Sequence, residues 1–218
     1  MLNISGRRVN AFRRVLLAWG RRNYARFPWR TTRNRFHALV AEVMLQRTRA
    51  EQVLPVYREF VRRFPAPAAA ASSTGRLRRL LGPLGLEWRA RKIGELVRVL
   101  AVLGRVPCDP EGVRQLPGVG DYAASAFLLF HCGRPALLID ANAVRLYGRY
   151  FGLQTGPETR RAAWFRSLAA RIQPRGPTAR QFGYALLDFT RAVCRPVPRC
   201  AQCPLRFGCA WFRERRHD

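Results

Sequence analysis

The sequence predicts an all-α protein, on three observations. Apolar residues recur three and four positions apart in seven segments, which is the period of a helix with one buried face. Glycine and proline interrupt the chain between these segments. We find no convincing strand pattern. The seven segments are Val9–Tyr24, Phe36–Met44, Val53–Phe64, Ile93–Leu103, Ala123–Phe130, Ala143–Phe151 and Phe182–Val193.

Breakers bound these predicted helices in order along the chain. Phe27-Pro28-Trp29 ends the first, and Pro65–Gly75, which is too short to separate domains, joins two packed helices. Gly82-Pro83 precedes the fourth segment, and a short helix at Glu111–Gln115 precedes the fifth. Gly156-Pro157 follows the sixth. About ten short helices are expected in all.

The charge of the chain predicts a polyanionic partner. Lys and Arg number 40 against 13 Asp and Glu, a formal net charge of +27 at pH 7. Lys92 is the only lysine. A general preference for arginine over lysine would explain this choice, but it would not explain why basic residues outnumber acidic residues. A nucleic acid is favoured over a membrane surface. Because no apolar run reaches the roughly 18 residues that span a bilayer, we expect a cytoplasmic protein without a signal peptide.

Four of the six cysteines lie close together near the C-terminus, in the pattern C-x5-C-x2-C-x5-C formed by Cys194, Cys200, Cys203 and Cys209. One loop of this kind can wrap a single metal centre, either a [4Fe–4S] cluster or a structural zinc. Zinc sites tend to use two C-x2-C pairs, so the single pair here favours the iron-sulfur cluster. No disulfide is expected in a cytosolic protein, and Cys108 and Cys132 are predicted to lie in the core.

A glycine-rich turn lies between the short helix at Glu111–Gln115 and the apolar helix that begins near Asp121. Its glycines let the backbone turn tightly and point N–H groups outward at a helix N-terminus, where the dipole favours an anion. The turn therefore predicts a phosphate seat, although an ordinary glycine turn between two helices is the alternative. Its sequence is Leu116-Pro117-Gly118-Val119-Gly120.

Taken in order, these motifs resemble the helix-hairpin-helix (HhH-GPD) DNA glycosylase superfamily, in the iron-sulfur branch that holds thymine mismatch and adenine glycosylases. The resemblance covers nearly the whole chain, although the first cysteine gap is one residue shorter than the family usually has. The other markers are FPWR at 27–30, AEVMLQRT at 41–48, LGL at 84–86 with RAR at 89–91, and IDANAVR at 139–145.

The resemblance implies a two-lobed fold with DNA across the cleft between the lobes. A six-helix barrel domain would span 31–133, with the hairpin at about 111–130, and an iron-sulfur cluster domain would combine 1–30 with 134–218. The cofactor would be a [4Fe–4S] cluster on the four clustered cysteines, with zinc as the alternative. Arg195 and Arg199 in the same loop would reach DNA phosphates.

The resemblance also implies catalytic residues. Asp140 matches the catalytic aspartate, which stabilises positive charge on the sugar or orients water, although a plain helix N-cap would also use aspartate. Asn142 would orient the water or Asp140. Glu42 resembles the glutamate that lines the base pocket and donates a proton to the leaving base, unless it faces water. Tyr122, if not simply a core aromatic, replaces the Schiff-base lysine of bifunctional members, which predicts an enzyme without efficient lyase activity.

The resemblance places Gln46 and Arg47 at the wedge that fills the space of an extruded nucleotide, with Arg47 as the plug. The LQRT sequence and the short C-terminus favour removal of thymine or uracil mispaired with guanine. An adenine glycosylase acting opposite guanine or 8-oxoguanine, and a non-catalytic DNA-lesion binder, remain alternatives. We expect a monomer that binds double-stranded DNA containing a mismatch or lesion. His37 and His131 match no motif and are predicted to be structural or solvated.

Overall fold

The computed structural model describes residues 4–214, in which helices are the only regular secondary structure. The predicted all-α fold is confirmed. Twelve α-helices occur in the described residues: α1 (Gly6–Asn23), α2 (Arg35–Met44), α3 (Ala50–Arg63), α4 (Pro67–Ala71), α5 (Thr74–Leu81), α6 (Glu87–Leu103), α7 (Pro110–Arg114), α8 (Asp121–His131), α9 (Ala141–Phe151), α10 (Ala163–Ile172), α11 (Thr178–Ala192) and α12 (Ala210–Glu214). Within residues 4–214, no helix is both long enough and apolar enough to cross a membrane.

The chain divides into two compact units. The central unit is Arg26–Ala136 and contains α2 to α8. The terminal unit takes the rest of the described chain, residues 4–25 and 137–214, and contains α1 and α9 to α12. Each unit has its own apolar core, so each holds its functional side chains on a packed scaffold.

The central unit is built around α2. Every residue from Phe36 to Met44 is buried, because α3, α6 and α8 all pack against this helix. The side chain of Asn34 caps its N-terminus by accepting hydrogen bonds from the N–H groups of Phe36 and His37. A helix that is buried on all sides also buries its one acid, Glu42.

The terminal unit is held together by aromatic packing between α1 and its neighbours. Phe12 is fully buried, with the rings of Tyr150 and Phe151 at 4.8 and 5.5 Å between centroids. Helix α1 also lies close against α11, since a Cβ at Gly20 would stand 2.6 Å from that of Ala185. This packing fixes α9, which carries Phe151 and Tyr150 near its end.

Two details differ from the sequence expectations. Residues 65–75 are not a simple connection, because Pro67 begins the short helix α4 and α5 starts at Thr74. The expectation of no disulfide is wrong: Cys108 and Cys132 are joined, with 5.6 Å between their Cα atoms. Both cysteines are partly buried against the apolar core of the central unit.

Candidate functional site

The hairpin of the central unit joins α7 to α8. Leu116 and Val119 are buried and anchor the turn to the core. Gly118 has a φ of 77°, and a Cβ there would stand 2.9 Å from the Cβ of Lys92. Both the left-handed backbone and the close approach therefore require glycine at this position. Gly120 precedes α8 with no side-chain cap, which leaves the first N–H groups of that helix available to an anion.

One carboxylate stands at this same helix N-terminus. Asp121 is the first residue of α8, its side chain is 94% exposed, and it lies 3.9 Å from the guanidinium of Arg114. A carboxylate in the first turn favours the helix itself but repels an approaching phosphate. The hairpin thus combines a backbone suited to phosphate with a negative charge that weakens its attraction.

The turn after α2 carries the predicted wedge. Arg47 is exposed and has a φ of 56°, a left-handed conformation that costs a non-glycine residue free energy. The amide of Gln46 donates to the carbonyl of Gly118 at 2.8 Å, which ties this turn to the hairpin. Both elements of the predicted DNA contact are therefore fastened together within the central unit.

A buried arginine holds the wedge turn in place. The guanidinium of Arg89 donates to the carbonyls of Met44 and Gln46, to the hydroxyl of Thr48 at 2.8 Å and to the carbonyl of Leu84 at 2.7 Å. Burial lowers the pKa of Arg89 from its usual range. These hydrogen bonds satisfy carbonyl groups at the end of α2. They therefore hold in place the point at which the turn with Arg47 begins.

Glu42 lies on α2 and is 8% exposed, so the alternative of a water-facing glutamate is wrong. Its Oε1 atom is 3.8 Å from Nε2 of His131, the last residue of α8, whose side chain is 4% exposed. Tyr122 is the second residue of the same helix and is half-buried. The described central unit therefore brings an acid and an imidazole together on two packed helices, α2 and α8.

Asp140 lies in the terminal unit, at the N-cap of α9. Its Oδ1 atom accepts a hydrogen bond from the N–H of Ala143 at 2.7 Å. Its Oδ2 atom accepts one from the amide of Asn142, also at 2.7 Å. A carboxylate that caps a helix keeps further lone pairs on its oxygens. The N-cap position of Asp140 is therefore compatible with a catalytic role.

Helix α9 also fastens the cysteine segment. Arg145 donates through Nε to the carbonyl of Cys194 at 3.0 Å. Arg149 donates to the carbonyls of Arg195 and Pro196 at 2.6 and 2.8 Å. Its guanidinium lies 3.7 Å from the Cys194 sulfur. One helix therefore carries Asp140 at its N-cap and the anchors of the cysteine segment, Arg145 and Arg149, further along.

The four clustered cysteines line one cavity of the terminal unit. Its enclosed volume is about 20 Å³, and its walls are otherwise mostly apolar and include Leu146, Phe189 and Trp211. Arg199 also lines this cavity and is exposed, whereas Arg195 is half-buried. Burial raises the pKa of the Cys203 thiol to about 12 and also raises that of Cys209. The cysteines are Cys194, Cys200, Cys203 and Cys209.

The four cysteines lie around one cavity. Within residues 4–214, no three His, Cys, Asp or Glu side chains are grouped closely enough to hold one metal ion. A structural zinc needs four ligands within about 2.3 Å of a single atom. A [4Fe–4S] cluster instead carries one thiolate at each of four separated irons, and it needs room between the sulfurs. Four cysteine thiols around one cavity are a donor set that suits either group.

Three further side chains of the site have no predicted role in the sequence analysis. His131 stands beside Glu42 although the sequence predicted only a structural or solvated histidine. Arg89 appears in the sequence only as part of the RAR marker, and nothing in its neighbours predicts complete burial. Arg149 follows the IDANAVR motif, and helical spacing from Arg145 was the signal available for it.

Comparison with known proteins gives full-length relatives, although no protein-family profile matches the chain. The chain is 40% identical to a thymine-DNA glycosylase of Aeropyrum pernix over 98% of its own length and all of that protein. It is 38% identical to a thymine/uracil-DNA glycosylase of Pyrobaculum aerophilum, over 94% and 93% of the two chains. An adenine DNA glycosylase of Mycobacterium tuberculosis is 35% identical, over 90% of this chain and 66% of that protein.

Solved structures give the same result for the fold. A thermostable thymine-DNA glycosylase superposes with a TM-score of 0.86 at 29% identity, over 95% of this chain and 98% of that one. Endonuclease III, in a trapped covalent intermediate with DNA, superposes with a TM-score of 0.83 at 20% identity, over 98% and 99% of the two chains. The second likeness concerns the fold alone.

Proposed function

The chain belongs to the helix-hairpin-helix family of DNA glycosylases, and we propose that it hydrolyses the N-glycosidic bond of thymine or uracil mispaired with guanine in duplex DNA. The observation that carries the choice of base is the end-to-end match, at 40% and 38% identity, with thymine- and thymine/uracil-DNA glycosylases. The adenine enzyme matches over only 66% of its length.

Asp140 is the carboxylate that acts on the sugar in this proposal. Loss of the base leaves positive charge on the sugar ring, and a fixed anion lowers the energy of that state. The N–H of Ala143 and the amide of Asn142 hold both carboxylate oxygens in place, so little reorganisation is needed when charge develops. Either oxygen retains a further lone pair for the attacking water.

Glu42 is the group that meets the extruded base. Its carboxyl is 8% exposed on an otherwise apolar helix, so its hydrogen bonds with a ligand face little competition from water. Thymine and uracil both present an imide N–H, which a carboxylate accepts, and carbonyl oxygens, to which a protonated carboxyl donates. Tyr122, at the start of α8, supplies an aromatic surface and a hydroxyl but no amine.

The enzyme is monofunctional in this proposal and leaves an abasic site. Strand cleavage by the family's bifunctional members needs a lysine amine that forms a Schiff base. The chain has one lysine, Lys92, and its Nζ atom is 2.7 Å from the carboxylate of Glu95. That ammonium is thus paired on α6, and the position of the catalytic lysine is occupied by Tyr122.

DNA contacts come from two sets of groups. The hairpin residues Leu116 to Gly120 offer backbone N–H groups to a phosphate, and Arg47 beside Gln46 fills the space that the extruded nucleotide leaves. Arg195 and Arg199 add positive charge from the cysteine segment. The net charge of +27 supplies long-range attraction to the duplex.

A [4Fe–4S] cluster bound by Cys194, Cys200, Cys203 and Cys209 completes the terminal unit in this proposal. The cysteine spacing, which contains a single C-x2-C pair, supports a cluster over a single zinc ion. When bound, the cluster cross-links a segment that otherwise has only short helical turns, and it positions the arginines on that segment. Arg145 and Arg149 fasten the same segment to α9.

Adenine excision is the second candidate, favoured by the 35% identity with adenine DNA glycosylases. The experiment that separates the two uses the purified holoenzyme with duplexes that contain a single T:G, U:G, A:G or A:8-oxoguanine pair. Strand breaks at T:G and U:G that appear only after alkali support the proposal. Cleavage confined to the adenine duplexes overturns the choice of base, and breaks without alkali overturn the assignment as monofunctional.

A further inference from the structure

One cleft of the terminal unit is lined by arginines that have no role in the function proposed above. It lies between α1 and the C-terminal end of α10 and has a volume of about 420 Å³. Small-molecule sites in proteins typically have volumes of roughly 300–1,000 Å³, so the cleft is large enough for a ligand. Its polar lining side chains are Arg13, Ser167, Arg171, Gln173 and Arg175.

The charge of this lining is of one sign. Arg13, Arg171 and Arg175 bring three guanidinium groups to the cleft, and no acidic residue lines it. Within residues 4–214, none of the three arginines forms an ion pair with an Asp or Glu side chain. A cleft lined by one sign of charge focuses the electric field and raises the local concentration of the opposite ions. The lining therefore favours an anion.

Backbone carbonyls hold two of these arginines in place. The Nε atom of Arg13 donates to the carbonyl of Ile172 at 2.7 Å, and the same guanidinium donates to the carbonyl of Arg171. The guanidinium of Arg171 in turn donates to the carbonyl of Ile4 at 2.7 Å. Because each guanidinium has five N–H donors, both arginines keep further donors for a ligand. Side chains that are already held in this way lose less entropy when a ligand binds.

The chain that follows α10 forms the second part of the lining. The Oε1 atom of Gln173 accepts a hydrogen bond from the N–H of Leu138 at 3.2 Å, which fastens this part of the chain within the terminal unit. Pro174 then restricts the backbone before Arg175, because its ring fixes φ. Arg175 is exposed, and its guanidinium forms no hydrogen bond with another residue between 4 and 214. It can therefore bind a ligand without giving up a hydrogen bond of the described chain.

A phosphate is the anion that this lining fits best. Planar guanidinium groups donate paired hydrogen bonds to phosphoryl oxygens, and they bind such groups more specifically than a lysine ammonium does. A carboxylate offers two oxygens to these donors, whereas a terminal phosphate offers three. The hydroxyl of Ser167 adds a neutral donor to the three guanidinium groups. Both a polynucleotide backbone and a free diphosphate carry phosphoryl oxygens.

We propose that this cleft is a phosphate-binding site, separate from the hairpin, in which Arg13, Arg171 and Arg175 bind the phosphoryl oxygens of a polynucleotide backbone or of a free diphosphate. The hairpin belongs to the central unit and the cleft to the terminal unit. The proposal does not depend on which base the enzyme removes, because none of these arginines acts on the base or on the sugar.

The test compares two double variants of the holoenzyme. Arg171→Gln/Arg175→Gln removes two charges from the cleft, and Arg21→Gln/Arg160→Gln removes two exposed charges of the same unit that do not line it. Calorimetric titration measures the affinity for inorganic diphosphate at low salt, fluorescence anisotropy measures the affinity for an undamaged duplex, and thermal unfolding measures stability. Arg175→Gln alone replaces the cleft variant if the double substitution prevents folding.

We expect the cleft variant to bind diphosphate about 10-fold or more weakly than wild type, because two charge-assisted donors are lost, while the control changes less than about 2-fold. A polynucleotide ligand predicts in addition that duplex affinity falls about 5-fold or more in the cleft variant relative to the control, and that duplex displaces diphosphate. A free diphosphate ligand predicts equal duplex affinity for the two variants.

Equal affinities of the cleft and control variants for both ligands overturn the proposal, because net charge alone then accounts for binding. If wild type does not bind diphosphate, a fall in duplex affinity confined to the cleft variant supports the polynucleotide backbone as the ligand, and equal duplex affinities overturn the site. These outcomes are separate from failure of the proposed function, in which wild type leaves T:G and U:G duplexes intact, since base excision is not measured in this test.

Discussion

The amide of Asn142 donates a hydrogen bond of 2.7 Å to Oδ2 of Asp140, while the other oxygen of that carboxylate is bound by the N–H of Ala143. The two oxygens are therefore oriented by different groups. Backbone geometry fixes Oδ1, because the N-cap bond is part of α9. The Asn142 side chain fixes Oδ2, so this contact is open to a test by substitution.

We expect Asn142→Ala to lower the single-turnover excision rate roughly 10-fold or more, because one hydrogen bond to an ionised carboxylate is lost. Duplex affinity should change little, since α9 keeps its cap. Asn23→Ala is the matched control: it removes an exposed amide that donates to the carbonyl of Trp19. Excision by Asn142→Ala at the rate of that control would contradict the assignment of Asn142.

Arg89 offers a test of the wedge turn. Arg89→Lys keeps a positive charge but cannot reach the carbonyls of Met44, Gln46 and Leu84 together with the Thr48 hydroxyl. Leaving buried carbonyls unpaired costs about 1–3 kcal/mol, and for a chain of this size each kcal/mol lowers Tm by roughly 2–4 °C.

Arg91→Lys is the control for that experiment, because Arg91 is exposed two residues further along α6. Calorimetry should give a lower Tm for the Arg89 variant alone. Base excision at a temperature where both variants are folded should also be slower for Arg89→Lys, since the turn that carries Arg47 is less well held. Identical Tm values for the two variants would show that the hydrogen bonds of the buried Arg89 guanidinium do not stabilise the protein.

The sequence predicts most of this fold from local patterns. Apolar spacing places α2, α8 and α9, and an aspartate before an apolar helix places the N-cap at Asp140. Glycines locate the hairpin because the left-handed φ of Gly118 is a local requirement. These features depend on residues that are close together along the chain, which is why sequence alone is sufficient for them.

The features that the sequence does not predict depend on tertiary contact. The bond between Cys108 and Cys132 requires Cα atoms 5.6 Å apart, and neither spacing nor residue type specifies that distance. The approach of His131 to Glu42 follows from the packing of α8 on α2. Complete burial of Arg89 is contrary to the usual behaviour of arginine, and only the carbonyls that gather around it explain it.

The disulfide of the central unit should contribute measurably to stability. It closes a loop that contains the whole hairpin, with 24 residues of sequence separation between Cys108 and Cys132. Loop-closure entropy for a ring of that length is about 3 kcal/mol, which corresponds to a Tm difference of roughly 6–12 °C. We expect the Cys108→Ser/Cys132→Ser double variant to melt lower than the oxidised wild type by that amount. Wild type treated with reductant should melt like the variant, and coincident melting of oxidised and reduced protein would contradict the pairing.

The cysteine centre makes a prediction about composition. Cys200→Ser should reduce iron and acid-labile sulfide from about four of each per chain, as expected for a [4Fe–4S] cluster, to a small fraction of that amount. The Cys108→Ser/Cys132→Ser variant is the matched control and should keep its full iron, because neither residue lines the cavity. Stoichiometric zinc without sulfide in wild type would instead establish the alternative metal.

Asp121 provides the last prediction, which concerns DNA affinity. Its exposed carboxylate stands in the first turn of α8, where the hairpin would receive a phosphate. Asp121→Asn removes the repulsion and keeps the size of the side chain, so the duplex should bind roughly 2- to 5-fold more tightly at low salt, with a smaller difference at high salt. Glu111→Gln is the control, because it removes one exposed negative charge from α7 rather than from the N-terminus of α8. Fluorescence anisotropy with a duplex that carries an uncleavable analogue measures both variants over a salt series. An equal gain for the two variants would mean that only net charge matters, and it would contradict the binding of a phosphate at the N-terminus of α8.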